Sequence, residues 1–250
     1  MPPLQDLLLV TTLVLVALAP MHASFLQCWA DRAREGASGA PQGRSHCDSC
    51  DKTLGAIDLV PILSWLWNRG KSRCCGQPLH PTLLYSELLV LIVAIWGALA
   101  VPLTFAIPTV LLVSGLQAVV LLTGPSPKVA RNFAAALTVM GLAVTMLLLP
   151  GHLLPHAGAT LLGLALCLAA RMQKIIAPDA LFLLAPAGAF TGFGGLALIC
   201  FIGIPAAVAF RALKPYFYPA DRRRPVMPAE AVVFGLASAS WLVWLYHSTA

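Results

Sequence analysis

Cys47 and Cys50 are separated by two residues in a polar stretch, and Cys74 and Cys75 follow further along it. Zinc takes four soft or borderline donors at tetrahedral angles, and two turns that each present a cysteine pair supply them. In a reducing compartment such a pair is more often a metal site than a disulfide. The second pair is irregular: three residues before Cys75, where a Cys-x-x-Cys turn needs a thiol, stands Ser72. Cys47, Cys50 and Cys75 are the expected metal ligands, with Cys74 as a further candidate and His46, Cys28 and His80 as other sources of a fourth donor. Neighbouring residues do not easily aim two thiolates at one ion, which counts against Cys74 and Cys75 acting together. Zinc is the cofactor this donor set implies; thiols retained without metal, or a redox dithiol, are the alternatives. Cys167 and Cys200 fall in apolar stretches and read as packing residues.

Acids are scarce. From Leu88 to the C-terminus the only carboxylates are Asp179, Asp221 and Glu230. Asp179 stands at an expected helix start, where it can cap free N–H groups. Asp221 is followed by three arginines and Glu230 stands two residues after Pro228, so a solvated loop and a helix N-terminus explain them. His152 and His156 have helical i, i+4 spacing and could share a metal, but no carboxylate lies nearby in sequence to orient them. No serine or cysteine triad is supported.

The elements that position these residues are membrane helices. A mean hydropathy of +0.83 with 10% charged residues is far from a soluble domain, where about a quarter of residues are charged. The fold class is all-α, a polytopic bundle of about eight spans: Leu7–Leu26, Leu83–Phe105, Thr109–Leu122, Phe133–Pro150, Leu153–Ala170, Ala180–Phe190, Phe193–Phe210 and Ala231–Tyr246. Three regions follow: a first helix (1–27), retained as a span in preference to a secretory signal, a cysteine loop (28–82) and a membrane bundle (83–250). Pro108, Pro125, Pro150, Pro155, Pro178 and Pro228 sit near span boundaries, whereas Pro186 and Pro205 are expected to kink the segments they interrupt.

If the loop Cys28–Thr82 is cytoplasmic, so are those after spans three, five and seven, and together these carry all 16 Lys and Arg. The net charge of +6 is thus a topology signal, and the expected location is a bacterial inner membrane. Membrane lipid is the implied partner. Nucleic acid is not, because no basic face interleaved with aromatic residues occurs. A transporter or channel is disfavoured because no charge pair lines the spans.

Asp58-Leu59-Val60-Pro61-Ile62-Leu63-Ser64-Trp65-Leu66 is followed by Arg69-Gly70-Lys71 and Glu87, and preceded by Ala23-Ser24-Phe25-Leu26 with Arg32. In that order the stretch resembles the first ninety or so residues of type IV prepilin peptidases. The resemblance implies membrane aspartic proteases that trim and N-methylate pilin or pseudopilin precursors for pilus or type II secretion assembly, with S-adenosylmethionine as methyl donor. Their cleavage uses two aspartates, one activating water while the other, protonated, donates to the scissile carbonyl. In that family one Asp lies eight residues before the acid of a Leu-Pro-Asp triplet, and the other belongs to Gly-x-Gly-Asp.

Here Val129-Ala130-Arg131 is similar to a degraded triplet, with Gly141 matching a later glycine, which puts Thr123 at the first acid. Leu183-Leu184-Ala185 and Gly188-Ala189-Phe190 resemble the family's Lys-Leu-Leu-Ala-Ala-Leu-Gly-Ala-Trp run, which puts Ala180 at the second acid and Phe182 at the lysine. Asp179 is the nearest retained acid, and Arg131 in place of a carboxylate disfavours a cationic pilin leader. The expectation is a degenerate prepilin peptidase homologue without a catalytic pair. It would bind pilin-like precursors or their assembly machinery, or retain methyl transfer alone; the alternative is an active leader peptidase/N-methyltransferase.

Overall fold

The computed structural model describes residues 4–34, 43–47, 49–79, 81–122, 126–173, 183–205 and 209. Seven α-helices follow in order: α1 (Leu4–Arg34), α2 (Leu63–Trp67), α3 (Thr82–Ala100), α4 (Leu103–Leu122), α5 (Pro127–Leu148), α6 (Leu153–Gln173) and α7 (Leu184–Leu198). No strand forms among the described residues; two isolated antiparallel bridges lie in the loop between α1 and α3. Among the described residues, six helical stretches have the length and apolarity of a membrane span: Leu4–Ala33, Leu83–Ala100, Leu103–Leu122, Pro127–Leu148, Pro150–Ala169 and Leu184–Gly203. The chain is a multi-pass helical membrane protein.

Packing follows chain order. Ala19 and Ala23 of α1 meet Val90, Val93 and Ala94 of α3 and Val110 and Val113 of α4. Nearer the loop, Leu26 and Ala30 of α1 meet Ala118, Leu121 and Leu122 of α4 and Ala130 of α5. A larger cluster joins Leu112, Leu116 and Val120 of α4 to Leu137 of α5 and to Leu184, Ala187 and Phe190 of α7. Small residues let the backbones approach, as membrane packing requires. Gly188 is the clearest case: a Cβ there would stand 2.6 Å from the Ala159 carbonyl oxygen of α6. Gly188→Val is expected to force α6 and α7 apart at a cost of about 1–3 kcal/mol, read as a lower midpoint of thermal unfolding in detergent.

Four expectations change. Helix α1 runs to Arg34, so Cys28 lies on a helix and not in the loop. The second span ends at Ala100 and the third begins at Leu103, so Pro108 sits within α4. There the neighbouring Thr109 hydroxyl donates to the Phe105 carbonyl (2.8 Å), satisfying an acceptor near the proline. Pro186 occupies the first turn of α7, where its missing N–H is harmless. The break comes instead at Gly192, whose φ of 62° and ψ of −160° leave the helical region.

At Gly192 the chain reverses. Before it, Leu184 lies against Gly163, Gly188 against Ala159, and Gly192 against His156, so this arm runs antiparallel to α6. After it, Phe193 packs on Gly158 and Cys200 comes within electrostatic reach of Cys167, which itself bonds the Leu184 backbone. Residues 184–191 and 193–203 are two arms of a helical hairpin. The reversal falls between the spans expected at Ala180–Phe190 and Phe193–Phe210, whose outer ends, like Ala231–Tyr246, lie outside the described residues. Ahead of Pro205 the second arm widens into a π-helix, Ile199–Gly203, which accommodates the proline.

His156 fastens the hairpin. Its Nδ1 lies 3.0 Å from the Ala189 carbonyl oxygen and 3.2 Å from the Thr145 hydroxyl, and the ring is buried. A buried imidazole donating to a carbonyl is a packing device, which accounts for His156 without a metal.

Candidate metal centre

The loop folds as two similar turns. In the first, the Cys47 N–H donates to the Lys52 carbonyl (2.9 Å) and the Asp51 N–H to the Cys47 carbonyl (2.8 Å), inside a His46–Thr53 bridge. In the second, the Ser72 N–H donates to the Gln77 carbonyl (2.7 Å) and the Gly76 N–H to the Ser72 carbonyl (2.8 Å), inside a Lys71–Pro78 bridge. The correspondence runs through the backbone: Asp51 and Gly76 hold the matching left-handed positions, at φ 56° and 70°. Cys47 thus matches Ser72 and Cys50 matches Cys75.

The missing thiol of the second turn is replaced by Cys74. All four sulfurs, of Cys47, Cys50, Cys74 and Cys75, lie within 4.8 Å of one another. The Cys47–Cys75 and Cys50–Cys74 pairs are 3.7 and 3.3 Å apart. Sulfurs on a tetrahedral zinc at about 2.3 Å would stand about 3.8 Å apart, so the donor set fits that ion in type and spacing. The expectation that adjacent residues point apart fails here, because the Gly76-to-Ser72 closure wraps the backbone tightly enough for Cys74 and Cys75 to face one centre. Ser72 lies between the turns, its hydroxyl 3.2 Å from the Cys47 sulfur and 3.0 Å from that of Cys74.

Electrostatics favour a cation. The Ser72 hydroxyl and then, against some burial, the amides of Ser49 and Cys50 bring the Cys47 thiol down to about 6, a thiolate at neutral pH. Cys50 is helped toward ionisation by the Lys52 amide, but Cys74 above all, with desolvation, Cys47 and Cys75, pushes it up to about 12. One negative charge is accepted readily and the next is resisted, which a divalent ion among the sulfurs reverses.

The flanking motif braces the turns. Asp58 accepts the Gly55 amide (3.0 Å) and pairs with Arg73 (3.2 Å) between the two cysteines' turns. Gly70 has φ +71°, and a Cβ there would stand 2.8 Å from the Trp65 indole, so the Arg69-Gly70-Lys71 turn and Trp65 require each other. At Pro61-Ile62-Leu63 the Leu63 N–H reaches back to the Pro61 carbonyl (2.6 Å) across Ile62 at φ 63°, ψ −56°. This is a strained γ-turn around a β-branched residue.

Glu87 of α3 holds that turn down. Its Oε2 accepts the Ile62 amide at 2.7 Å, and the Ser24 hydroxyl of α1 also bonds the carboxylate. Glu87→Leu leaves the Ile62 amide without its acceptor and is expected to cost about 1–3 kcal/mol locally. The check is hydrogen exchange in detergent, where the Ile62 amide should lose protection while α4 keeps its own.

Of the other candidate ligands, Cys28 and His46 do not join the group, and His80 lies outside the described residues. Thr123, Asp179, Ala180, Phe182, Asp221 and Glu230 also lie outside them. Sequence reasoning passed over Ser72 as a participant and gave Glu87 no task. The matching hydrogen-bond pattern of the two turns was the missing clue for Ser72.

Residues 17–101 match the family model described as the bacterial peptidase A24 N-terminal domain. The particular relatives are prepilin leader peptidase/N-methyltransferases. That of Pectobacterium carotovorum subsp. carotovorum is 33% identical over 67 residues, 22% of this chain and 24% of the relative. That of Aeromonas hydrophila is 35% identical over 66 residues, 23% of each chain. A type 4 prepilin-like proteins leader peptide-processing enzyme of Escherichia coli O78:H11 (strain H10407 / ETEC) is 34% identical over 59 residues, 24% of this chain and 22% of the relative. The matches thus span about a quarter of the length of these relatives. No solved structure is a significant match to the chain.

Proposed function

We propose that this protein is a prepilin peptidase-like protein of the bacterial inner membrane, with its cysteine loop in the cytoplasm, that recognises pilin-like precursors or their assembly machinery without cutting them. The observation that carries the reading is the carboxylate inventory: beyond Leu88 the chain has only Asp179, Asp221 and Glu230. Leader hydrolysis by an aspartic mechanism needs two acids sharing one proton at close range. By resemblance their places hold Thr123 and Ala180, and Asp179 alone has no partner there. The names of the relatives, peptidase and N-methyltransferase, support pilin precursors as the class of molecule recognised.

Zinc is the metal the loop would take, on Cys47, Cys50, Cys74 and Cys75, and its part is structural. Four protein sulfurs leave no open position for substrate or water. Within described residues 43–79 only Cys47, Gly70 and Ser72 are buried, so the loop has no apolar core of its own. A closed metal site is what such a segment needs to hold one shape. Methyl transfer from S-adenosylmethionine rests on the family resemblance. Incubating the purified protein with labelled S-adenosylmethionine and a pre-trimmed pilin tests it, and absence of incorporation leaves recognition alone.

A further inference from the structure

We infer that residues 57–67 are an interfacial membrane anchor, which lays the cysteine loop against the lipid headgroups at the end of the bundle where that loop attaches. Ile57, Leu59, Val60, Leu63, Leu66 and Trp67 are all exposed, Trp67 by 85% and Ile57 by 67%. So many large apolar side chains on one short segment are not covered by the loop itself.

Their depth identifies the occupant. The Ile62 amide, in the middle of the segment, is 2.7 Å from Glu87, and Glu87 also bonds Ser24. Glu87 is the fifth residue of the span Leu83–Ala100, which places it about 6 Å beyond that helix's entry point. An interfacial segment buries its apolar face roughly 5–10 Å into the headgroup and acyl boundary, the same depth. The surface is also continuous with the lipid-facing belt: next to the Ser24–Glu87 junction, Phe25 and Met21 of α1 and Tyr85 of α3 are exposed on membrane helices.

Charge agrees with a bilayer as partner. Residues 43–79 carry Arg44, Lys52, Arg69, Lys71 and Arg73 against Asp48, Asp51 and Asp58, an excess of cations suited to anionic headgroups. Asp58 is already paired with Arg73. Trp67, with an apolar body and one N–H, is the side chain most at home at that boundary.

The test uses the full chain in nanodiscs of phosphatidylcholine with phosphatidylglycerol, the acyl chains brominated near their carbonyl ends. Subtracting the tryptophan emission of Trp67→Phe from that of the unaltered protein isolates Trp67, and a residue so exposed is replaceable without harm to the fold. The expected result is that bromolipid quenches this difference emission by more than about half relative to unbrominated discs. Difference emission untouched by bromolipid overturns the inference in either case: quenched by aqueous acrylamide, the segment stands in water; shielded from both, it is covered by a protein, such as a pilin precursor or a second copy.

Discussion

Replacing Cys50 by serine is expected to strip the protein of its metal. As purified, the unaltered chain should carry one zinc, and each of Cys47→Ser, Cys50→Ser and Cys75→Ser should lower affinity by more than about 100-fold. Removing a group that merely orients a ligand already costs 10–100-fold, and these sulfurs are the proposed ligands themselves. Elemental analysis after dialysis reads the loss. Because residues 43–79 bury only Cys47, Gly70 and Ser72, the same variants should open the loop to protease while the helices remain intact. The pH dependence has a definite sign. Zinc binds thiolates, so protons compete with it, and affinity should fall on acidification, most steeply below about 6, where even Cys47 is protonated without metal. Above that, affinity should climb with pH, because zinc must displace a proton from Cys50, held at about 12 without metal.

How much of this was legible beforehand depends on what kind of signal each feature leaves in sequence. Membrane helices announce themselves by length and apolarity alone, so α3, α4, α5 and α6 lie close to where composition put them. Boundaries are written more faintly. Helix α1 continues past Leu26 because Gln27 and Asp31, one turn apart and bonded at 3.2 Å, suit a helix that has left the bilayer as well as a loop. Pro108 looks like a terminator, yet in an apolar environment the helix keeps going, since a bilayer offers no water to replace broken backbone bonds. Hydropathy already separated the segments ending at Phe190 and beginning at Phe193, but it does not record the positive φ of Gly192 or the contacts with His156 and Gly158 that form the turn.

The cysteine cluster divides in the same way. Cys47, Cys50 and Cys75 were readable from spacing because a turn of fixed length aims both thiols inward. Cys74 was read against, since that argument took neighbouring side chains to diverge, whereas the tight Ser72–Gly76 turn brings both sulfurs round. Glu87 matched a motif without a reason. Its task, accepting the Ile62 amide of a strained turn, is a contact between residues 25 apart in sequence.

The second large expected effect is an absence of proteolysis. A carboxylate that activates water and a carboxylic acid that polarises the scissile carbonyl must face each other, and losing one of a pair that acts as a unit removes nearly all of its rate advantage. In the proposed reading both places are lost, to Thr123 and Ala180, and Arg131 adds a positive charge near the first. Asp179→Asn should therefore leave the protein's behaviour toward pilin precursors unchanged, whereas in a working protease it would abolish processing.

The most direct measurement is the mass of a prepilin co-expressed with this protein in a cell that lacks any other leader peptidase. The account predicts that the precursor keeps its full leader, with or without Asp179. A pilin trimmed at its leader junction by the unaltered chain, and left uncut by Asp179→Asn, would contradict it.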